Sequence, residues 1–561
     1  MDKNKHIYLH KKNTSRKLNY RILFFLVIVL YCIFTARYGF ENWDTGYIPS
    51  FSWRIVNGQS AYEDFFYKGP PLTLYFHALF MEILPESGQF YFIRISNYLL
   101  FGLQVYFTVS GFYNFYGDKI HVNKWSLMSV GFIISLLNFS PYPWPTTDGL
   151  LFSAIAFFLL SRNKLSITYI QLFAVSFFCM AAALTKQSFY FIPIIFTLWI
   201  YLSYGIKKCL AFIAGCLLIG IVFLLWIASI TDLSVFIDLV TKETYLKGLL
   251  YAGLIDYLLI REKNYIYFIV LFGIVIFYIR FKNIDSKWLR LIKSTSISLA
   301  FTAVIVCLLY DFLIASRIAV ISCLFGLLHA ILIPFSFKKL QYYLPVTVSL
   351  GIAWCCSISM GYSYPILYAT AIILSLLVLY ENYFERETAS RYLGILGVIL
   401  SIVAFSYNYK PYRERNVTEL AYRLDSVSPK LRYIYTNRSN FDKLSELKHL
   451  LEKYGPNFIC APNIPMAHYL FNTKSVLPAD WIINTEINRN PGLFLKIASN
   501  PENYIFLEKS FLEREELMPE KKEDFSIITS YIHRNFIKIG ETKYFIIYNS
   551  LARHEKFPEI N

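Results

Sequence analysis

Apolar runs long enough to cross a bilayer recur along most of this 561-residue chain, and a membrane-spanning helix needs about 20 such residues. One water-soluble core could not bury them all, because 56% of the residues are hydrophobic and the mean hydropathy is +0.43. The sequence therefore predicts a polytopic α-helical membrane protein. By hydropathy, about thirteen transmembrane helices are expected. They fall at residues 20–38, 90–113, 126–141, 148–162, 166–184, 190–205, 209–230, 264–281, 293–313, 317–335, 341–360, 364–383 and 391–408.

The apolar run at residues 70–84 decides the topology. It is short and begins with Pro70-Pro71, which favours a re-entrant or interfacial helix over a span. When this run is left out, every predicted cytoplasmic loop carries lysine or arginine, as the positive-inside rule requires. The N-terminus is then cytoplasmic, and the chain from residue 410 onward lies outside.

The predicted outer face collects ionisable side chains, which are costly at membrane level and usually functional. Most lie in the first outer loop, 39–89, and in an amphipathic segment, 231–263, that is expected to lie along the outer surface. A carboxylate there could remove a proton from a hydroxyl while cations hold a phosphate leaving group. The candidates are the acids Asp44, Glu63, Asp64 and Asp148 and the cations Lys68, Lys186, Lys242, Lys247, Arg261 and Arg317.

The chain changes character after residue 409, where charges become frequent. Residues 442–454 have the pattern of an amphipathic helix, and Gly455 with Pro456 would end it. Strands are expected at 457–461 and 503–508, and a hairpin at 536–549. The sequence thus predicts two parts: a transmembrane body, 1–409, and an extracytoplasmic C-terminal α/β domain, 410–561.

Three short motifs, together with a many-span body followed by an outer soluble domain, carry a resemblance to a known family. Asp44 follows the first span, Lys68-Gly69-Pro70-Pro71-Leu72 ends the first outer loop, and Asp148 begins the fourth span after an aromatic, proline-rich loop, 141–145. Together they resemble the GT-C superfamily of glycosyltransferases, and within it the aminoarabinose-transferase and protein-mannosyltransferase branch. That branch often has Lys-Pro-Pro-Leu where this chain has the interrupting Gly69. The resemblance implies a GT-C-like body and a polyprenyl-phosphate-linked sugar as donor.

The resemblance also implies roles for particular residues. Asp44 would be the general base on the acceptor hydroxyl, Lys68 would contact the donor phosphate, and Asp148 would orient the acceptor or a metal. A divalent cation held by Asp44 and Asp148 is the one cofactor that this assignment allows. From its position at the outer end of the fifth span, Lys186 is a further phosphate ligand, and Trp144 could stack on a sugar.

Each candidate also has a purely structural interpretation. The lysines could snorkel from apolar helices, and Asp148 could cap the fourth span. Glu63 and Asp64 could be solvated loop acids, and the basic side chains of 231–263 could contact anionic lipid headgroups. His77, on an apolar run, is expected to pack in the core rather than to bind a ligand.

The function expected from these features is inverting transfer of a sugar from a polyprenyl-phosphate donor to a hydroxyl. The acceptor would be a surface glycan, lipid or glycolipid at the outer face of a bacterial cytoplasmic membrane. Two alternatives stay open: a polymerase or ligase acting on lipid-linked oligosaccharide, and a transporter or flippase. The basic balance does not indicate nucleic-acid binding, because the lysines and arginines lie in short loops and no nucleic-acid-binding motif accompanies them.

Overall fold

The computed structural model describes residues 21–136, 142–162, 166–241, 312–332, 336–358, 368–379, 411, 413–462, 464–482, 496–509 and 526–549. The predicted spans at 264–281 and 391–408 lie outside this part of the chain. So do most of the predicted span at 293–313 and most of the amphipathic segment 231–263.

Apolar helices form the body of the molecule. In chain order they are α1 (Arg21–Thr35), α2 (Asp44–Val56), α3 (Leu72–Ile83), α4 (Gln89–Tyr116), α5 (Lys124–Leu136), α6 (Pro145–Ser161), α7 (Tyr169–Ala183), α8 (Phe191–Tyr204), α9 (Ile206–Ile230), α10 (Leu233–Thr241), α11 (Phe312–Leu332), α12 (Phe337–Ser357) and α13 (Ala369–Leu379).

Helix α9 shows most directly that this body belongs in a membrane. At about 1.5 Å per residue it is long enough to cross the roughly 30 Å hydrocarbon core. Its side chains Leu217, Ile221 and Leu225 are 62, 55 and 66% exposed, which suits contact with lipid rather than water. Among the described helices, α9 and the segment Gln187–Tyr204 have the length and composition of a full span. The protein is thus a helical membrane protein, and the number of its spans stays a prediction.

Contacts between helix ends distinguish the two ends of the body. At one end, Tyr116 Oη donates to the Tyr342 carbonyl (2.9 Å), and Gln341 Nε2 donates to the Leu202 carbonyl (2.6 Å). The end of α4 therefore meets the end of α8 and the start of α12. We call this the basic end, because chain order places most of the loop cations there. Those cations are Arg21, Lys119, Lys124, Arg162, Lys207, Lys208, Lys338 and Lys339.

The opposite end, here called the domain end, carries α2 and α3. Leu72 N, at the start of α3, donates to the Leu184 carbonyl just after α7 (3.1 Å). Gln89 Nε2, at the domain end of α4, donates to the Met81 carbonyl in the last turns of α3 (2.7 Å). Both ends of α3 thus lie at the domain end, so the helix does not cross the body. This agrees with the interpretation of residues 70–84 as a non-spanning segment.

The C-terminal residues form a mixed α/β unit. Its elements are β1 (Tyr422–Arg423), β2 (Tyr435–Thr436), α14 (Arg438–Tyr454), β3 (Phe458–Ala461), α15 (Ala467–Leu470), β4 (Tyr504–Glu508), α16 (Ser526–Asn535), β5 (Ile537–Glu541) and β6 (Phe545–Asn549). Four strands make one sheet in the order β3-β4-β6-β5, in which the β3–β4 pair is parallel and the other pairs are antiparallel. The predicted helix, both predicted strands and the hairpin are confirmed to within a few residues.

Helix α14 forms where the sequence supplies a cap, an apolar stripe and a stop. The Asn437 side chain accepts a hydrogen bond from Asn440 N (3.0 Å), as an N-cap residue does. Leu444 and Leu447 lie one turn apart and are fully buried. Gly455 ends the helix at φ +90°, a conformation that side chains disfavour.

The α/β unit shares its hydrophobic core with the membrane body. Phe40, Met81 and Phe90 of the body belong to the same buried cluster as Leu447 and Phe458. The sequence predicts a separate outer domain, but an apolar surface from the loop after α1 and from α3 and α4 completes its core. Burial of these side chains stabilises the contact by the hydrophobic effect, so the two parts are packed as one structure.

A buried ion pair joins the same two parts. Arg54, near the end of α2, donates from Nε to Asp480 Oδ2 (2.6 Å) and from Nη2 to Asp480 Oδ1 (2.7 Å). The guanidinium also donates to Ser475 Oγ and to the Leu477 carbonyl, each at 2.7 Å. Both charged side chains are at most 3% exposed. The pairing is bidentate, so it fixes the orientation of α2 on the C-terminal unit.

We expect Arg54→Ala to lower the free energy of unfolding by about 3–5 kcal/mol, because it leaves Asp480 buried without a counter-charge. Arg54→Lys is also expected to destabilise, since an ammonium cannot make the bidentate contact. Unfolding of the detergent-purified protein measures the effect. Arg423→Ala is the matched control: its 3.0 Å pair with Asp425 is about half exposed and should contribute less than about 1 kcal/mol. Equal losses in Arg54→Ala and the control would contradict the assignment.

Candidate active site

A buried acid stands at the domain end of α6. Asp148 lies in the first turn of this helix and is 1% exposed. Its carboxylate oxygens are 3.1 and 3.3 Å from His77 Nε2, on α3. The N-terminal end of a helix also stabilises a carboxylate through its unpaired N–H groups. His77 is buried as the sequence predicts, but it also binds Asp148, a partner that the sequence does not indicate.

Close packing brings α6 against the segment that follows α7. A Cβ at Gly149 would lie 2.7 Å from Thr185 Oγ1 and 2.8 Å from the Phe189 ring. Only a glycine allows this approach, which sets the start of α6 beside residues 185–190. The next residue after Thr185 is Lys186, so Asp148 and Lys186 share one end of the molecule.

Lys186 is a half-buried cation without a carboxylate partner among the described residues. Its Nζ donates to Thr146 Oγ1 (3.2 Å) in the first turn of α6. Loss of hydration on burial lowers the pKa of Lys186 to about 8. Below that pH the ammonium carries a charge that the surrounding described residues do not balance, which is the property of an anion site.

The segment that carries Lys68 contacts the residue that follows Lys186. Gln187 Nε2 donates to the Lys68 carbonyl, so the end of the first outer loop contacts the segment carrying Lys186. Lys68 is half-buried. The segments that carry Lys68, Lys186 and Asp148 thus meet at the domain end, and a shared role for the three side chains stays a prediction.

A second acidic group lies in the loop after α1 and at the start of α2. Arg413 Nη1 is 3.2 Å from Asp44 Oδ2 and 3.7 Å from Glu41 Oε1. Burial, and next the charge of Asp44, raise the pKa of Glu41 to about 7, against the opposing effects of the Thr45 amide and Arg413. A carboxyl group that titrates near neutral pH is well suited to proton transfer.

Aromatic side chains link the start of α2, which carries Asp44, to the start of α6, which carries Asp148. Tyr47 lies one turn after Asp44, and its ring centre is 5.9 Å from that of Trp144, directly before α6. The same tyrosine lies 5.5 Å from Trp481 of the C-terminal unit and 6.3 Å from Tyr67. Trp144 is half-buried in this cluster. The first outer loop, the residue before α6 and the C-terminal unit thus contribute to one aromatic cluster at the domain end, here called the aromatic wall.

Other predicted residues are not placed in this group. Glu63 and Asp64 are exposed, and Asp64 Oδ2 accepts a hydrogen bond from Ser60 N (2.6 Å), which is a turn contact. The exposure of Glu63 and Asp64 fits their interpretation as solvated loop acids. Lys242, Lys247 and Arg261 lie outside the described residues, and Arg317 lies in α11 with its side chain outside the description.

The site roles of three residues were missed by sequence reasoning. Glu41 lies three residues before Asp44, and this spacing at the start of a helix could have pointed to a paired role. His77 gave no such signal, since its partner Asp148 is 71 residues away. Arg413 likewise meets Asp44 only through the tertiary fold.

The described residues contain no group of three or more His, Cys, Asp or Glu side chains arranged to hold a metal ion. Asp44 and Asp148 each already face a nitrogen side chain, Arg413 and His77 respectively. The divalent cation at Asp44 and Asp148 stays a prediction.

The fold and this site define a helical membrane protein with a C-terminal α/β unit and a charged, aromatic-lined centre between them. No family model matches the chain, and no curated protein matches it. A solved structure, the crystal structure of ArnT from Cupriavidus metallidurans bound to undecaprenyl phosphate, is similar over 95% of this chain and 98% of that one, with 9% identity and a TM-score of 0.35. This is the class of protein that the sequence motifs resemble. At that TM-score the likeness adds no weight of its own.

Glu41 makes folding stability depend on pH. Because its pKa is raised in the folded protein, the stabilisation it gives is full below about pH 4.5 and is lost as the pH rises through about 7. The Glu41→Gln variant does not lose this stabilisation. The melting temperature of the variant minus that of wild type should therefore be larger at pH 8 than at pH 5. The corresponding change in the free energy of unfolding between the two pH values is expected to be at most about 3 kcal/mol. Thermal unfolding at both pH values measures it, with the exposed Glu419→Gln as control. An offset that is the same at both pH values would refute the assignment.

Proposed function

We propose that the protein is an inverting glycosyltransferase of the GT-C type that uses a polyprenyl-phosphate-linked sugar. The observation that carries this proposal is Lys186, a half-buried ammonium with no described carboxylate partner, beside a buried acid at the domain end. A phosphate group supplies the missing negative charge. The membrane helices around it offer the apolar surface that a polyprenyl chain requires.

The cations would act on the leaving group. As the bond between the sugar's anomeric carbon and the phosphate oxygen breaks, its electron pair passes to the phosphate. Lys186 stabilises that growing charge, and Lys68, whose backbone contacts the same segment, is placed to assist. Fixed cations in a site of low dielectric stabilise such a transition state more than water does.

The acids would act on the acceptor. Its hydroxyl oxygen forms the new bond to the anomeric carbon, and its proton passes to a carboxylate of the Glu41–Asp44 pair. Arg413 holds both carboxylates in place. One direct displacement of this kind inverts the anomeric carbon and needs no covalent intermediate. Asp148, fixed by His77, would orient the sugar, and Trp144 would stack on it.

The membrane orientation follows from the basic end. Cytoplasmic loops carry an excess of lysine and arginine, and the loop cations of this body lie at the basic end. The domain end and its site would therefore face outward, in a bacterial cytoplasmic membrane. A hydroxyl of a surface glycan, lipid or glycolipid is the acceptor that this side of the membrane offers.

The role of Lys186 is testable by binding of undecaprenyl phosphate to the purified protein. Lys186→Gln should weaken binding at least tenfold, because it removes the counter-charge of the phosphate, whereas Lys186→Arg should retain most of it. Lys207→Gln, at the start of α9 at the basic end, is the control and should bind like wild type. Equal affinity in Lys186→Gln and wild type would exclude Lys186 as the phosphate ligand.

The acids are tested by transfer itself. We expect Asp44→Asn to reduce kcat by at least a hundredfold, because the amide can neither take the proton nor balance Arg413. Binding of undecaprenyl phosphate should stay within about twofold, which separates chemistry from folding. Near-normal turnover in Asp44→Asn would show that the carboxylate has no catalytic role.

A further inference from the structure

A cavity of about 230 Å³ lies between the loop after α1 and the C-terminal unit. We call it the interdomain pocket. Glu41 and Trp43 border it on the membrane side, next to Asp44. The whole lining consists of Glu41, Asn42, Trp43, Arg413, Ser439, Asn440, Lys443, Glu508 and Tyr544. The mixture of hydrogen-bonding side chains with an aromatic face suits a polar, ring-shaped ligand.

Asn42 shows that the pocket has an unused binding group. The side chain is 6% exposed, and its Nδ2 donates weakly to Asn440 Oδ1 (3.4 Å). Its Oδ1 is buried and has no hydrogen-bond partner among the described residues. Buried polar atoms are nearly always paired, so this acceptor calls for a donor such as a ligand hydroxyl.

The far wall of the pocket is rigid and charged. Lys443 Nζ, on α14, lies 2.5 Å from Glu508 Oε1, at the end of β4, and both side chains are at most 9% exposed. A buried pair of this kind holds its geometry, so it offers fixed donors and acceptors to a ligand. The volume is below the roughly 300–1,000 Å³ typical of pockets for drug-sized molecules. It suits a single sugar ring.

The pocket adjoins a larger groove of about 750 Å³, here called the outer groove, which shares Ser439 and Tyr544 with it. This outer groove has four cations, against the carboxylates of Glu419 and Asp442. The cations are Arg415, Arg438, Lys509 and Lys543. Their ion pairs are at the surface, where such pairs contribute little. An incoming anion can therefore compete for these side chains.

We propose that the interdomain pocket and the outer groove together bind the acceptor, and that the acceptor is an acidic oligosaccharide. Its terminal sugar occupies the interdomain pocket, with one hydroxyl on Asn42 Oδ1 and the reacting hydroxyl directed to Glu41. The following acidic sugars lie along Arg438 and Lys543. The C-terminal unit is then the part of the protein that selects the acceptor. This inference rests on the proposed glycosyl transfer, whose donor site is elsewhere, at Lys186.

Binding of two trisaccharides to the full-length protein tests the proposal. The probes are an α-1,4-linked galacturonate trisaccharide and its neutral galactose counterpart, measured by titration calorimetry. Wild type should bind the acidic probe at least tenfold more tightly, and added salt should reduce this preference. Arg438→Glu with Lys543→Glu should abolish the preference and leave neutral binding unchanged. Lys453→Glu, an equal charge reversal on α14 outside the groove, is the matched control.

A substitution of Asn42 tests the interdomain pocket. Asn42→Leu keeps the side chain's size but removes the buried acceptor, so binding of both trisaccharides should fall at least fivefold. Wild type that binds neither probe, or both equally, would overturn the proposal. So would a loss of preference in the Lys453→Glu control. Undecaprenyl phosphate binding, measured in parallel, should be the same in all of these variants. If wild type fails to bind that lipid yet binds the acidic probe, the proposed donor is wrong and the acidic-glycan site stands.

Discussion

The buried pair of Arg54 and Asp480 is the contact on which the arrangement of this protein depends. It joins helix α2, near the start of the chain, to a residue more than 400 positions later. Leaving either charge buried without its partner is strongly destabilising, so the pair favours the docking geometry in which the two side chains meet. Around it, Phe40, Met81 and Phe90 complete the core of the C-terminal unit. The membrane body and the α/β unit are consequently held in one fixed relation.

That fixed relation creates the site. Helix α2 carries Asp44 and Tyr47 at its start and Arg54 near its end, so docking the helix at Arg54 also places the acid and the aromatic ring. Tyr47 then contacts Trp144 and Trp481. The aromatic wall links the start of α2, near Arg413, to the start of α6, where Thr146 accepts a hydrogen bond from Lys186. A donor in the membrane and an acceptor in the outer groove could thus meet without large movements of either part.

Much of this structure was predicted from the sequence, and the features that were not predicted share one physical cause. Hydropathy and charge predicted the helical body, the non-spanning residues 70–84 and the co-location of Asp148 with Lys186. Local signals also predicted α14 and the strands, because caps, glycines and alternating apolar residues act over a few positions. The pairs His77–Asp148 and Arg413–Asp44, and the core shared by body and domain, were not predicted. Each brings together residues that are far apart in sequence, and no local sequence pattern predicts such contacts.

The sequence by itself determined that this chain is a helical membrane protein and that its lysines and arginines fall between the apolar runs. These properties follow from the cost of placing charge in hydrocarbon, which acts on every residue according to its type. Only the tertiary structure decided which acids are buried, that Lys186 has no carboxylate partner among the described residues, and that burial raises the pKa of Glu41 to about 7. Burial and pairing depend on neighbours, and the neighbours of these side chains are set by helix packing and by the docking of the C-terminal unit.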